Sequence, residues 1–158
     1  MRYALVALAG LAAAFAPAAG AVTVQVGVSE SFQEKLDDDY GVREIAILQD
    51  NLTRKIERAF DKAGVKAERV VITIEDARPN RPTFQQLGDK VGLDPIHSFG
   101  TGGAKVTGVA YDAAGNEVGR QEYDWYETDI RQAYGVTTWH DASYAFSRFA
   151  TRFAKSLT

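Results

Sequence analysis

Residues 104–128, AKVTGVAYDAAGNEVGRQEYDWYET, decide the fold of this chain. Two runs in which apolar and polar residues alternate, 104–111 and 117–128, flank the polar stretch Asp112–Asn116. Alternation with a period of two predicts β-strands, and a short turn with a Gly at the position of positive φ predicts that they pair as a hairpin. Gly115 occupies that position. We therefore predict an antiparallel hairpin.

The side chains of the two runs indicate how the strands pair. Placing Asp112 opposite Glu117 also brings Lys105 opposite Asp124, so that opposite charges meet on one face. The other face then joins small residues to aromatic ones, namely Ala104, Val106, Gly108 and Ala110 beside Tyr123 and Trp125. A slip of one residue, which a bulge at Gly115 would produce, mixes acids with Ala and Val on a single face. We predict the register without the slip.

The end of the chain predicts a helix that covers the small-residue face of the hairpin. Thr138 can cap its first turn, where Asp141 is favoured by the helix dipole. Seven apolar residues recur at helical spacing on one stripe: Ala142, Ala145, Phe146, Phe149, Ala150, Phe153 and Leu157. The large rings complement the small residues of the sheet. We expect Phe146, Phe149 and Phe153 to be buried against the hairpin.

The first half of the domain supplies two more strands and a longer helix. Val22–Val28 and Arg69–Glu75 alternate and predict half-buried strands. Arg43–Ala63 places apolar residues on one side and charged residues on the other, which predicts an amphipathic helix that ends at Gly64. The polar, acidic stretch Ser29–Tyr40 predicts a loop.

These elements predict an α+β fold in the order β-α-β-β-β-α. We expect a single sheet of about four strands with two helices packed on one face. Residues 22–158 are enough for one domain with a hydrophobic core and too few for two ordinary domains.

Residues 1–21 have the pattern of a secretory signal peptide. A positive start leads into the apolar run Tyr3–Phe15, Pro17 interrupts it, and Ala19–Ala21 offers small residues for cleavage. We expect cleavage after Ala21 and a periplasmic or secreted product. An uncleaved anchor is disfavoured because the run is shorter than the ~20 residues that span a bilayer. No later segment of the sequence is apolar enough to be transmembrane.

Composition excludes several classes of function. The chain contains no cysteine, which removes disulfides, thiolate catalysis, cysteine-bound metals and a lipid-accepting cysteine. Its formal net charge of -3, with both signs interspersed, argues against binding to nucleic acid. An exported domain of this size without disulfides is typical of bacteria.

Residues 78–103 form the longest irregular connection in the sequence. They contain Pro79, Pro82 and Pro95, and Thr83–Leu87 can form one helical turn. Loops of this length in a compact domain are commonly functional or mobile. We predict that this segment is the functional edge of the domain, with an inert surface excursion as the alternative.

Few residues point to a reaction, a metal or a cofactor. His140 and Asp141 are neighbours on a helix and point about 100° apart, so they form no ready acid–base pair, with or without His97. Asp37–Asp39 lacks the ligand spacing of a calcium loop. Gly100–Lys105 lacks the Gly-Lys-Ser/Thr ending of a phosphate loop and leads into a strand. We assign no catalytic residue, no metal ligand and no cofactor.

The aromatic residues after the hairpin are the best binding candidates. We expect Tyr123 and Trp125 to belong to the core, on the face that meets the helix. Tyr126, Tyr134 and Trp139 have little sequence around them to cover them, and exposed aromatic rings can stack on sugars or peptides. These three are our candidate binding residues.

The sequence resembles small uncharacterised envelope proteins and lipoproteins of proteobacteria that are grouped as domains of unknown function. The resemblance rests on five features: Val22–Val28, the helix end Asp61–Gly64, the strand entry Gly102–Ala104, the turn Asp112–Gly115 and the helix start Thr138–Ala142. The resemblance implies an envelope location and no catalytic residues. The lipid-accepting cysteine common in such proteins is absent.

Three classes of function remain open. The first is a non-enzymatic binding or interaction domain of the cell envelope, with an unknown envelope protein or glycan as its partner. The second is a glycan- or peptide-binding module that uses the aromatic residues near Trp139. The third is a hydrolase that uses His97 or His140 with acidic partners. We favour the first.

Overall fold

The computed structural model describes residues 22–158, so the predicted signal peptide, residues 1–21, lies outside the described chain. One sheet contains the strands β1 (Thr23–Val28), β2 (Arg69–Arg78), β3 (Gly103–Tyr111) and β4 (Glu117–Tyr126), in that order. The α-helices are α1 (Glu30–Lys35), α2 (Arg43–Ala63), α3 (Phe84–Asp89) and α4 (His140–Ser156). A π-helical turn (Leu36–Tyr40) follows α1, and a 3₁₀ turn (Ile130–Ala133) follows β4. The predicted α+β fold is confirmed.

The sheet is mixed. β1 pairs with β2 in parallel, whereas β2–β3 and β3–β4 are antiparallel. A parallel pair needs a crossover connection, which α1 and α2 provide here. Lys105 faces Asp124 across the hairpin, as predicted, and its ammonium forms an ion pair with the diagonal neighbour Glu122. Near the turn β4 contains one extra residue, Val118, so that Tyr111 faces Glu117. The predicted pairing of Asp112 with Glu117 is therefore wrong by one residue.

Helices α2 and α4 pack against each other and on the same face of the sheet, as predicted. α2 also contacts β1, and α4 contacts β3 and β4. Phe146, Phe149 and Phe153 are fully buried, which confirms the predicted packing of α4. Gly108 leaves room for these rings, because a Cβ there would lie 2.8 Å from atoms of Phe149 and Phe153.

Helix α2 has the bounds that its periodicity predicts. Leu48, Leu52, Ile56 and Phe60 are buried along one row. Gly64 ends the helix with a φ of 67°, a left-handed conformation that glycine adopts without a steric penalty.

The predicted loop Ser29–Tyr40 is wrong, because most of it is helical. The Ser29 hydroxyl accepts a hydrogen bond from the backbone N–H of Phe32 and caps α1. Phe32 and Leu36, four residues apart, are both fully buried. The burial of these two side chains anchors a helical segment whose remaining residues are mostly polar.

Element boundaries also differ from the prediction, most clearly at the end of β2 and at the start of α4. β2 continues past Glu75 to Arg78, through a register shift between Ile74 and Asp76. Helix α4 begins at His140 with Trp139 at the N-cap position and no side-chain cap, so Thr138 is not the cap.

Candidate functional site

The irregular segments of the chain meet at one end of the sheet, where β2 ends and β3 begins. We call this the loop end: residues 79–102, residues 127–139 and the first turns of α2. The helical turn predicted at Thr83–Leu87 is present there as part of α3. Thr83 and Gln86 cap it reciprocally: each side chain accepts a hydrogen bond from the other residue's backbone N–H.

A buried polar pair fastens the loop end to the core. The Asn80 amide donates to Asp141 Oδ2 over 2.6 Å, and Asn80 Oδ1 accepts the backbone N–H of Asp141 over 2.9 Å. The backbone N–H of Gly102 donates to the same carboxylate oxygen over 2.8 Å. Asn80 is 1% exposed and Asp141 is 4% exposed. Three separate parts of the chain are thereby held together.

Arg81 provides a second fastening. Its Nε donates to the carbonyl of Val136 over 2.5 Å, and its Nη1 donates to the carbonyls of Pro95 and Ile96. One guanidinium therefore links two stretches of backbone, residues 95–96 and residue 136, to the segment that carries Arg81. Contacts of this kind tie residues 78–103 to the end of the 127–139 loop and to the start of α4.

A first cleft of 340 Å³ includes Arg81 and Pro82 in its lining. Arg78, Lys90 and Phe99 are among its lining residues. Asp39 closes it from the π-helical turn, where its carboxylate accepts a hydrogen bond from Gln86 and pairs with the ammonium of Lys90. Asp39, from the acidic run Asp37–Asp39, thus binds residues of the loop end.

A second cleft of 460 Å³ shares Arg81 and Pro82 with the first. Its lining is apolar at Ile47, Phe84, Leu87 and Pro95, and polar at Glu44, Asn51, Thr137 and Ser143. Glu44 is only 6% exposed, and its Oε2 accepts the indole N–H of Trp139 over 2.6 Å. The second cleft therefore combines an apolar wall with a nearly buried carboxylate.

The three candidate aromatic residues have different surroundings. Trp139 is 8% exposed and its ring packs edge-on against Tyr40, so the expectation of an uncovered ring is wrong for this residue. Tyr134 is 80% exposed and contacts the ring of Phe99 edge-on, with centroids 6.0 Å apart. The structure brings Tyr134 and Trp139 to the loop end but not into one stacking surface.

Tyr126 is half-buried on the opposite face of the sheet from the helices. Its hydroxyl donates to Asp76 Oδ2 over 2.8 Å, and the guanidinium of Arg78 lies 5.1 Å from its ring centroid. Burial, followed by the hydrogen bond and the negative charge of Asp76, raises the pKa of Tyr126 well above its ordinary value. Tyr126 is therefore a fixed, neutral hydrogen-bond donor at neutral pH.

The histidines have the surroundings of surface residues. His97 is bound through Nδ1 to Asp94 Oδ1 over 2.9 Å, and its side chain is 83% exposed. Ser98 lies next to it, but the Ser98 hydroxyl accepts the backbone N–H of Asp94, which makes it part of the same turn. His140 is exposed at the start of α4. Among residues 22–158, no three His, Asp or Glu side chains are arranged to hold a metal ion.

Large apolar side chains are exposed on the loop end. Five of them lie within residues 84–99: Phe84, Val91, Leu93, Ile96 and Phe99. Phe84 is 77% exposed and Ile96 is 69% exposed. Ile130 and Tyr134 of the neighbouring loop, and Val42 and Ile47 near the start of α2, are also exposed. The loop end therefore presents apolar side chains beside both clefts.

Sequence reasoning missed Glu44, which it placed on the charged side of α2. The row of buried residues Leu48, Leu52, Ile56 and Phe60 has a spacing of four. Continuing this spacing one turn toward the N-terminus gives Glu44, and that continuation is the signal that could have found it.

Comparison with protein-family models, with curated proteins and with solved structures gives no match to this chain. The resemblance to proteobacterial envelope proteins stays a prediction. Within residues 22–158, every helix is too short or too polar to cross a membrane.

Proposed function

We propose that the protein is an exported, non-enzymatic binding domain that recognises a partner of the cell envelope through the loop end. The observation that carries this proposal is the exposure of Phe84, Val91 and Ile96 on a segment that Asn80 and Arg81 tie by hydrogen bonds to other parts of the chain. Large apolar side chains exposed to water are costly, and where several occur on one region of a folded protein they commonly mark an interaction site.

The hydrogen bonds that hold the loop end in place favour a recognition surface over an inert surface excursion. Ordering a long loop costs about 1–2 kcal/mol of backbone entropy per residue. Asn80 and Arg81 offset this cost with bonds to distant parts of the chain. A surface that is already ordered loses little entropy when a partner binds, which favours affinity.

The export part of the proposal is supported by residues 1–21, whose apolar run and small residues fit a signal peptide. A binding role is favoured over a hydrolase because His97 and Ser98 serve the turn at Asp94. Tyr134 supports a glycan- or peptide-binding module as the second candidate, since its exposed ring lies against Phe99 beside the first cleft.

The test is affinity capture from the envelope fraction of the producing cell. Residues 22–158 are compared with the triple variant Phe84→Ser, Val91→Ser, Ile96→Ser. The control is Val118→Ser, which removes an apolar side chain that is 50% exposed beside the hairpin turn. We expect at least one envelope component to be held by the native chain and the control and lost by the triple variant. Equal capture by all three proteins would contradict the proposal.

A further inference from the structure

We infer that the second cleft binds a basic side chain of a peptide, with its ammonium or guanidinium group on Glu44. This inference rests on the proposed function and specifies the ligand for one of its two clefts. It is carried by the combination of a nearly buried carboxylate with a free oxygen and an apolar wall.

Glu44 has bonding capacity that the described chain does not use. Its Oε2 accepts the indole N–H of Trp139, whereas no donor from residues 22–158 reaches Oε1. No side-chain oxygen of these residues is both fully enclosed and without a partner, so Oε1 is accessible to solvent, and Glu44 is one of the residues that line the second cleft. A carboxylate has about four acceptor positions, and the free ones point to a ligand that donates hydrogen bonds.

The charge of Glu44 is not balanced at short range. No Lys, Arg or His of residues 22–158 lies within ion-pair distance of its carboxylate. Arg81 also lines the cleft, but its Nε and Nη1 are bound to backbone carbonyls. Arg43 lies over the ring of Phe84, 5.7 Å from its centroid. A buried carboxylate is stabilised by a cation in direct contact, which a ligand can supply.

The wall of the cleft fits the rest of a basic side chain. Ile47, Leu87 and Pro95 offer apolar contacts to the methylene groups of lysine or arginine, whose stems pack on apolar surfaces while their heads bind polar groups. A sugar is less well matched. Of the two aromatic residues in the lining, Trp139 is nearly buried and Phe84 carries Arg43 over one face of its exposed ring, so the cleft does not offer a pair of free rings between which a sugar could stack.

The inference is tested with two capped tripeptides, alanine–lysine–alanine and alanine–norleucine–alanine. They share the aliphatic stem and differ in the ammonium group. Trp139 reports binding by NMR, because its indole N–H is bonded to Glu44, and Trp125 provides the reference signal. We expect the lysine peptide to shift the Trp139 indole signal and to bind about tenfold more tightly than the norleucine peptide, as for a hydrogen bond to a charged group.

Matched variants test whether the Glu44 carboxylate causes the preference for the lysine peptide over the norleucine peptide. Glu44→Gln keeps an acceptor for Trp139 and should abolish the preference for lysine, while Glu44→Asp should retain part of it. Glu57→Gln, an exposed position on the same helix, should leave the preference unchanged. Unfolding curves confirm that each variant is folded.

Equal binding of the two peptides to the native chain would overturn the inference, and so would an unchanged preference in a folded Glu44→Gln variant. Absence of any shift with the lysine peptide would also overturn it. None of these results decides the proposed function. Affinity capture with the triple variant at Phe84, Val91 and Ile96 tests that function separately.

Discussion

Asn80 and Asp141, which are 61 residues apart in the chain, hold each other through two hydrogen bonds inside the protein. One bond joins the two side chains, and the other joins the Asn80 side chain to the first turn of α4. The entry to the long loop and the start of the last helix therefore form one unit. Asn80 lines the first cleft, and its neighbour Arg81 lines both clefts.

The variant Asn80→Ala should lower the free energy of unfolding by about 3 kcal/mol. It leaves the buried Asp141 carboxylate without one donor and the start of α4 without its acceptor, and buried polar groups without partners are costly. Urea unfolding measures the change. Asn116→Ala is the control, because Asn116 lies exposed in the hairpin turn and should cost less than about 1 kcal/mol. Similar losses for both variants would contradict the role given to Asn80.

The same pair explains why the start of α4 was predicted incorrectly. Thr138 has the residue type of a helix cap, but its carbonyl accepts the backbone N–H of Asn80 and it provides no side-chain cap. The N–H of Asp141 is instead satisfied by Asn80 Oδ1. A bond between residues this far apart leaves no local pattern in the sequence.

The elements that could be predicted are those with a long periodic pattern. Arg43–Ala63 repeats its apolar row over five turns, and the hairpin is fixed by its alternating residues and opposite charges. Ser29–Tyr40 was missed because it is short and polar, although Ser29, Phe32 and Leu36 carry the cap and the spacing of a helix. The clefts could not be predicted, since residues from four separate segments line them.

Gly108→Ala should destabilise the protein by roughly 1–3 kcal/mol, the usual cost of overpacking a core. The added methyl group would lie 2.8 Å from atoms of both Phe149 and Phe153, which are fully buried and cannot easily move. Gly27→Ala is the matched control on edge strand β1, because no atom lies within 4 Å of its added methyl group. Thermal or urea unfolding distinguishes the two, and a neutral Gly108→Ala would contradict the packing of α4.

Tyr126 should ionise at higher pH than an ordinary tyrosine, because burial and the bond to Asp76 raise its pKa. The folded state then holds the phenolic proton more tightly than the unfolded chain. The stability that depends on Tyr126 is therefore complete below the ordinary tyrosine pKa of about 10 and is lost as the pH rises above it. Tyrosinate absorbance follows this ionisation. The variant Asp76→Asn should move it to lower pH, and an unchanged titration would contradict the assigned cause.

The exported protein should begin at Val22. Ala19–Ala21 supplies the small residues that a signal peptidase needs, after an apolar run too short to span the bilayer. Intact-mass spectrometry of the protein from the periplasm or medium measures the N-terminus directly. A product that retains Met1 in the membrane fraction would contradict cleavage and export.

Site-specific photocrosslinking in the producing cell tests the proposed recognition surface most directly. A photoreactive phenylalanine analogue is placed at Ile96 on the loop end and, separately, at Val118 beside the hairpin turn, two positions that are 69% and 50% exposed. If the loop end binds an envelope partner, light should produce a discrete adduct from position 96 and none from position 118. An adduct from position 118 alone, or none from position 96, would contradict the claim that the loop end is the recognition surface.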